Sequence, residues 1–217
     1  MIVLDHVTKY YPTRFGRHYV LRDISVTLPA GRNIGILGKN GAGKSTLLRL
    51  LGGMDMPNRG EVQRHCRVSW PLALSGGFQG SMTGRENTRF LCRIHGLRAN
   101  RDVEEWVKAF SEIGQHFELP IKGYSSGMRS RFNFAVSMAF DFDIYLTDEI
   151  TSVGDARFKQ KCIEVFNEKR QTASLIMVSH SMDTLRKQCD MGAILHDGQL
   201  TLHDDLEAAI ACYQTLK

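Results

Sequence analysis

The chain has 217 residues, of which 42% are hydrophobic and 24% charged; this is a globular composition and excludes disorder as the main reading. That length holds one sizeable core and an inserted subdomain rather than two independent domains. The formal net charge of +5 suits nucleic acid, an anionic membrane surface or a nucleotide, but no Lys/Arg-rich tract or RNA-type aromatic motif selects nucleic acid. No apolar run approaches the roughly 20 residues needed to span a bilayer. Asp5 and His6 stand where a signal peptide would be apolar, so the chain is expected to stay in the cytoplasm. Cys66, Cys92, Cys162, Cys189 and Cys212 form no C-x-x-C pair, and the eight histidines show no metal-ligand spacing; the cysteines read as reduced and structural.

From Val20 to Leu28 the pattern alternates, with Ile24, Val26 and Leu28 on one side and Asp23, Ser25 and Thr27 on the other, which predicts a half-buried strand. Pro29-Ala30-Gly31 marks a turn. NIGILG then predicts a short buried strand, followed by a Gly-rich loop and the helical run STLLRLLGG. From about Thr83 to Phe140 the pattern is helical: Val103, Val107, Phe110, Ile113 and Phe117 fall at steps of three and four, giving one apolar face. Strand signals return in IYLT (144–147), SLIMVS (174–179) and AILH (193–196). Asp197-Gly198 favours a hairpin turn into the next strand, and DDLEAAIACYQTL predicts a short amphipathic helix. There is no internal repeat or low-complexity linker. Strands alternating with helices predict an α/β core with a mainly parallel sheet, and the N-terminal strands a small antiparallel one.

The strongest local signal is GKNGAGKST, Gly38 to Thr46, which fits G-x-x-x-x-G-K-[ST]. Its glycines, Gly38, Gly41 and Gly43, let backbone N–H groups curl around phosphate oxygens, with Asn40 and Thr46 in the same loop. The helix that follows points its positive end at the same anion. Lys44 is placed to reach the β- and γ-phosphates, and the Ser45 hydroxyl to ligate Mg²⁺. DIYLTDE then carries an apolar strand into Asp148 and Glu149. A strand-end acidic pair is often just solvent-facing, but beside a phosphate loop it puts Asp148 near Mg²⁺ and Glu149 where it polarises an attacking water. SLIMVSHS delivers His180 at the end of the next strand, in reach of a γ-phosphate. In IKGYSSGMRSR, Ser125-Ser126-Gly127 precede the apolar run FNFAVSMAF and alone read as a turn opening a helix.

Taken together, a phosphate loop, a helical insert ending in a small-residue motif, an Asp-Glu pair and a His-terminated strand resemble the nucleotide-binding subunit of an ABC transporter over nearly the whole chain. The resemblance implies a P-loop NTPase (RecA-like) α/β core, about 1–78 and 141–217, with an N-terminal antiparallel β subdomain and an α-helical subdomain inserted at about 79–140. YSSGM sits where that family has L-S-G-G-Q, with Ser126 in place of the first glycine and Met128 in place of the glutamine. By resemblance, Ser125, Ser126 and Gly127 contact the ATP held by the phosphate loop of a second, head-to-tail subunit. TSVGD (151–155) resembles the loop facing that subunit, with Asp155 as its acidic member. Gln79, in GGFQGSMTGREN, matches the glutamine that senses Mg²⁺ and faces the membrane partner. Tyr11 matches the aromatic that stacks on adenine, with Tyr10 a close competitor.

Within the family, GGFQGSMTGREN, the short degenerate signature, YYPTRFGRHYVLRDI and AIACYQTLK are most like the capsular polysaccharide export branch of Gram-negative bacteria. O-antigen and teichoic acid relatives often carry a further C-terminal domain, which is not expected here. The resemblance implies a homodimeric ATPase using ATP and Mg²⁺, peripheral on the cytoplasmic face of the inner membrane. Its partner would be a multi-span transmembrane permease, and through it periplasmic and outer-membrane export proteins, with no nucleic acid. The alternatives are another exporter ATPase (O-antigen, teichoic acid, lipid or lipoprotein) and a non-transport ATPase of the same family.

Overall fold

The computed structural model describes residues 1–72, 78–96, 101–148, 155–179 and 181–216. It divides into two compact units, Met1–Pro71 with Phe142–Glu149 and Thr172–Lys217, and Leu72–Asp141 with Ile150–Gln171. The second unit thus takes in the helix after the acidic strand as well as the inserted block.

In the first unit, β1 (Ile2–Thr13) and β2 (Gly16–Leu28) form a long antiparallel hairpin, and β4 (Arg59–Arg64) pairs with the other edge of β1. The hairpin begins well before Val20, where polar residues hide the strand pattern. Its tight turn is held by Thr13, whose hydroxyl donates to the Gly16 carbonyl and accepts from the Phe15 N–H. The predicted alternation appears downstream, with Ile24 and Leu28 buried and Asp23, Ser25 and Thr27 exposed.

The second sheet of this unit has the order β5-β6-β3-β7-β8, from β3 (Ile34–Leu37), β5 (Ile144–Asp148), β6 (Ser174–Val178), β7 (Met191–His196) and β8 (Gln199–His203). All pairs are parallel except β7–β8, the hairpin turning at Asp197-Gly198. Every residue of β3 and β6 is buried, as expected of parallel strands covered on both faces. Burying each Ile, Leu, Met or Val there contributes about 1.5–3 kcal/mol. The register aligns Asp148 with Val178, and Val178 with Ile36. The carboxyl ends of β5, β6 and β3 therefore lie level along one edge.

Helix α1 (Lys44–Leu51) follows β3, and α6 (Met182–Gln188) and α7 (Leu206–Thr215) complete the first unit. α7 starts at Asp205, whose carboxylate accepts the Ala208 N–H. Its Ala209 presses on β7 at Gly192, where a Cβ would lie only 2.2 Å from the Ala209 Cβ.

The second unit contains α2 (Gly84–Ile94), α3 (Arg101–Ser111), α4 (Ser126–Met138) and α5 (Ala156–Lys169). α2 opens with a complete capping box between Thr83 and Glu86. The predicted apolar face is present, with Val107, Phe110, Ile113 and Phe117 all buried. Only its first half is one helix. Glu112 and Gly114 take left-handed φ values of 54° and 59°, ending α3 and starting a 3₁₀ turn at Gly114–Glu118. Glu104 is 3% exposed. It accepts from Arg85 at 2.9 Å and from Arg89 at 2.8 Å, while Arg85 also grips Glu118. A carboxylate this deep is tolerated because both oxygens are paired.

A side chain at Gly192 has nowhere to go. Gly192→Val is expected to destabilise the protein by about 1–3 kcal/mol through overpacking against Ala209, read as a lower urea midpoint with an unchanged slope. An unchanged midpoint would mean that α7 does not bear on β7.

Candidate functional site

The site of the first unit is built on the edge where β3, β5 and β6 end, the position at which open α/β sheets bind ligands. An open cleft of about 530 Å³ lies there, lined by Tyr11, His18 and Val20 on one side and by the loop after β3 with Asp148 and Val178 on the other. The loop is shaped by Gly43, which precedes α1 at φ 102°, a left-handed conformation that L side chains avoid. Gly43 also lies against Val20, whose Cγ1 would be 2.2 Å from a Cβ placed there.

Lys44 is 7% exposed. Its Nζ donates to the carbonyls of Gly38 at 2.7 Å and Lys39 at 3.0 Å, so the side chain folds back along its own loop. Burial pushes the ammonium below the ordinary lysine value, and the nearby Asp148 carboxylate opposes this. An ammonium that has given up water for two carbonyls favours an anion beside it. The positive end of α1 adds to the same preference.

The Ser45 hydroxyl donates to Asp148 Oδ2 at 3.0 Å, so two hard oxygen donors from α1 and β5 stand together. Among the described residues no cluster of three or more His, Cys, Asp or Glu side chains gathers as a metal site. The pair fits Mg²⁺, which takes one or two protein oxygens and completes its shell with phosphate and water. Asn40, Gly41 and Thr46 line the same cleft. Gly38 is buried, and a Cβ there would meet the Leu195 carbonyl at 2.6 Å.

Of the two adjacent tyrosines, Tyr11 lines the cleft. Tyr10 packs instead on Tyr19, with ring centroids 5.2 Å apart, and under the Arg17 guanidinium. His18 is a lining residue that sequence reasoning missed. It faces Tyr11 across the β1–β2 ladder, a pairing that no local motif announces.

Within the second unit, Ser125 is the N-cap of α4, and its Oγ accepts the Met128 N–H at 3.2 Å. Ser125, Ser126 and Gly127 are all exposed, and a Cβ at Gly127 would meet nothing within 4 Å. Asp155 is likewise a cap, accepting the Phe158 N–H at 3.0 Å at the start of α5. That backbone bond, with the Arg131 guanidinium nearby, holds its carboxyl below the usual range. Gln79 is exposed, and its backbone is fastened by the fully buried Asn87, which accepts the Gln79 N–H at 2.8 Å and donates to the Gln79 carbonyl. Glu149, His180 and residues 151–154 of TSVGD lie outside the described residues.

Residues 21–152 match the family model described as ABC transporter, and the chain belongs to that family. A polysialic acid transport ATP-binding protein of Escherichia coli, KpsT, is 49% identical over 216 residues, covering 99% of each chain. The capsule polysaccharide export ATP-binding protein CtrD of Neisseria meningitidis serogroup B is 47% identical over 216 residues, covering 100% of each. The fold is that of a dimeric ATP-binding cassette solved in a post-hydrolysis state with ADP and Pi, at a TM-score of 0.72 and 21% identity, covering 95% of this chain and 99% of the other. Among the described residues, no helix is long and apolar enough to cross a membrane.

Gly43→Ala should leave the fold intact yet distort the loop. About 1–2 kcal/mol of left-handed strain, added to the clash with Val20, is expected to weaken ATP binding by about tenfold or more in a fluorescent-nucleotide titration. Undiminished affinity would show that the loop binds without this conformation.

Proposed function

We propose that the chain is the ATP-hydrolysing subunit of an ABC transporter that exports lipid-linked capsular polysaccharide across the inner membrane. The substrate class rests on one observation, the end-to-end likeness to capsule and polysialic acid export ATP-binding proteins. No residue here reads sugar chemistry, so fold alone would not carry it.

In this reading two copies pair head to tail and enclose two ATP molecules. Lys44 and the backbone N–H groups of the loop at Gly38–Thr46 hold the phosphates, and Tyr11 offers its ring to adenine. Ser45 and Asp148 hold Mg²⁺, which neutralises phosphate charge when bound. Gln79 senses Mg²⁺ and faces the membrane partner. Glu149 orients and polarises the attacking water, and His180 donates to the γ-phosphate. Ser125, Ser126 and Gly127 of the second copy close over the nucleotide, with Asp155 in the adjoining contact. The helical unit transmits closure to a multi-span permease, which places the ATPase on the cytoplasmic face of the inner membrane and links it to periplasmic and outer-membrane export proteins.

Lys44→Ala is expected to abolish nucleotide binding by removing the buried cation; unchanged ATP affinity would contradict the loop assignment. Glu149→Gln is expected to bind ATP normally and lose about 100-fold or more in turnover, whereas near wild-type hydrolysis would remove Glu149 from the role. Tagged Glu149→Gln drawn from detergent-solubilised membranes of its own organism tests the export step. A multi-span membrane protein encoded beside capsule genes supports the proposal. A different membrane partner discards the capsule, and recovery only with ribosomes or DNA overturns transport.

A further inference from the structure

Behind the cleft wall formed by Tyr11 lies a closed polar network that the phosphate loop does not explain. Lys9 is 7% exposed, and its Nζ donates to Asp55 Oδ1 at 2.6 Å and to the Met56 carbonyl at 2.8 Å. The Met56 N–H donates to the same carboxylate oxygen at 2.8 Å. Asp55 is thereby fixed with its second oxygen turned to Tyr11, whose hydroxyl donates to it at 3.2 Å. The phenolic oxygen accepts in turn from Arg49 Nη2 at 3.3 Å, so the hydroxyl both donates and accepts. The same Nη2 reaches Thr46 Oγ1 at 3.2 Å, one turn earlier on α1. Lys9 Nζ also lies over the Tyr11 ring, 5.2 Å from its centroid.

We infer that Lys9, Asp55 and Arg49 are positioning residues for the nucleotide base, acting through Tyr11. They hold the tyrosine by its hydroxyl, at the end away from its backbone, so that the ring is set as a stacking surface before the base arrives. The inference rests on the proposed reading that ATP occupies the cleft with adenine on Tyr11. Stacking needs a ring plane at one angle, and a phenyl ring held only by its Cβ must surrender rotamer freedom on binding. Here that freedom is removed by two charged groups. Both are themselves anchored, one by a buried ammonium and the other on the helix that carries Ser45 and Thr46.

The rival account is that the network only staples α1 to β1. The two accounts separate with a probe that lacks a base. Binding of Mg-ATP and of inorganic tripolyphosphate would be measured by calorimetry on wild type, Tyr11→Phe, Arg49→Met and Tyr11→Ala, and on Tyr11→Ala combined with Arg49→Met. Tyr11→Phe keeps the ring and loses only the hydroxyl, so it reads the network even if Arg49→Met folds poorly. Both single variants are expected to weaken ATP about three- to tenfold, as one loosened side chain would, and to leave tripolyphosphate within about twofold. In steady state the loss should fall on KM with kcat unchanged. On the Tyr11→Ala background Arg49→Met should cost nothing further. An equal loss for tripolyphosphate, an additive loss on that background, or unchanged ATP affinity in Tyr11→Phe each overturns the inference. A wild-type protein that binds tripolyphosphate but not ATP, or neither, strikes instead at the proposed function.

Discussion

Everything at the candidate site depends on three parallel strands ending level. β3 pairs with β6, and β6 with β5, in a register that sets Ile36, Val178 and Asp148 in one row. Strand spacing of about 4.8 Å then places the Asp148 carboxylate two strands from the start of the phosphate loop. From there Ser45, in the first turn of α1, reaches it directly. A slip of one residue in β5 would turn Thr147, now fully buried, toward the cleft and bury the acid in its place. Ile144 to Thr147 of β5 are all buried, which makes that slip costly. The buried core and the position of a single charged oxygen are therefore two results of one registration.

The lysine at the centre of the loop follows the same logic. It sits among backbone carbonyls and beside one carboxylate, where its charge is only partly compensated. A side chain so placed is stable because the loop geometry leaves it no alternative, and that geometry needs glycine at the entry to α1.

Much of this could be read from the sequence, for a physical reason. The phosphate loop is a local object: its glycines, lysine and serine act through their own backbone and the next helix, so a string of nine residues contains it. The apolar strands IYLT, SLIMVS and AILH were legible because buried parallel strands carry little besides aliphatic residues. The β1–β2 hairpin extends well upstream of its alternating segment, because a strand rich in Tyr, Lys and Arg has no period to detect. The end of α3 at Glu112 was hidden as well, since Ile113 and Phe117 continue the helical spacing after the backbone has left the helix. His18, Asn87, Lys9, Arg49 and Asp55 were invisible as a group. Their roles come from partners distant in the chain, such as Arg49 with Tyr11, 38 residues apart, and Lys9 with Asp55, 46 residues apart.

The cap at Ser125 has a bearing on what its hydroxyl can still do. A hydroxyl has one proton and two lone pairs, and the Met128 N–H occupies a lone pair only. The proton stays available for donation while the χ1 angle is already fixed by the cap. The cap narrows the rotamers of the side chain in advance, so less entropy remains to be lost when the hydroxyl donates. What remains free is the proton, which swings about a Cβ–Oγ bond whose direction the cap favours.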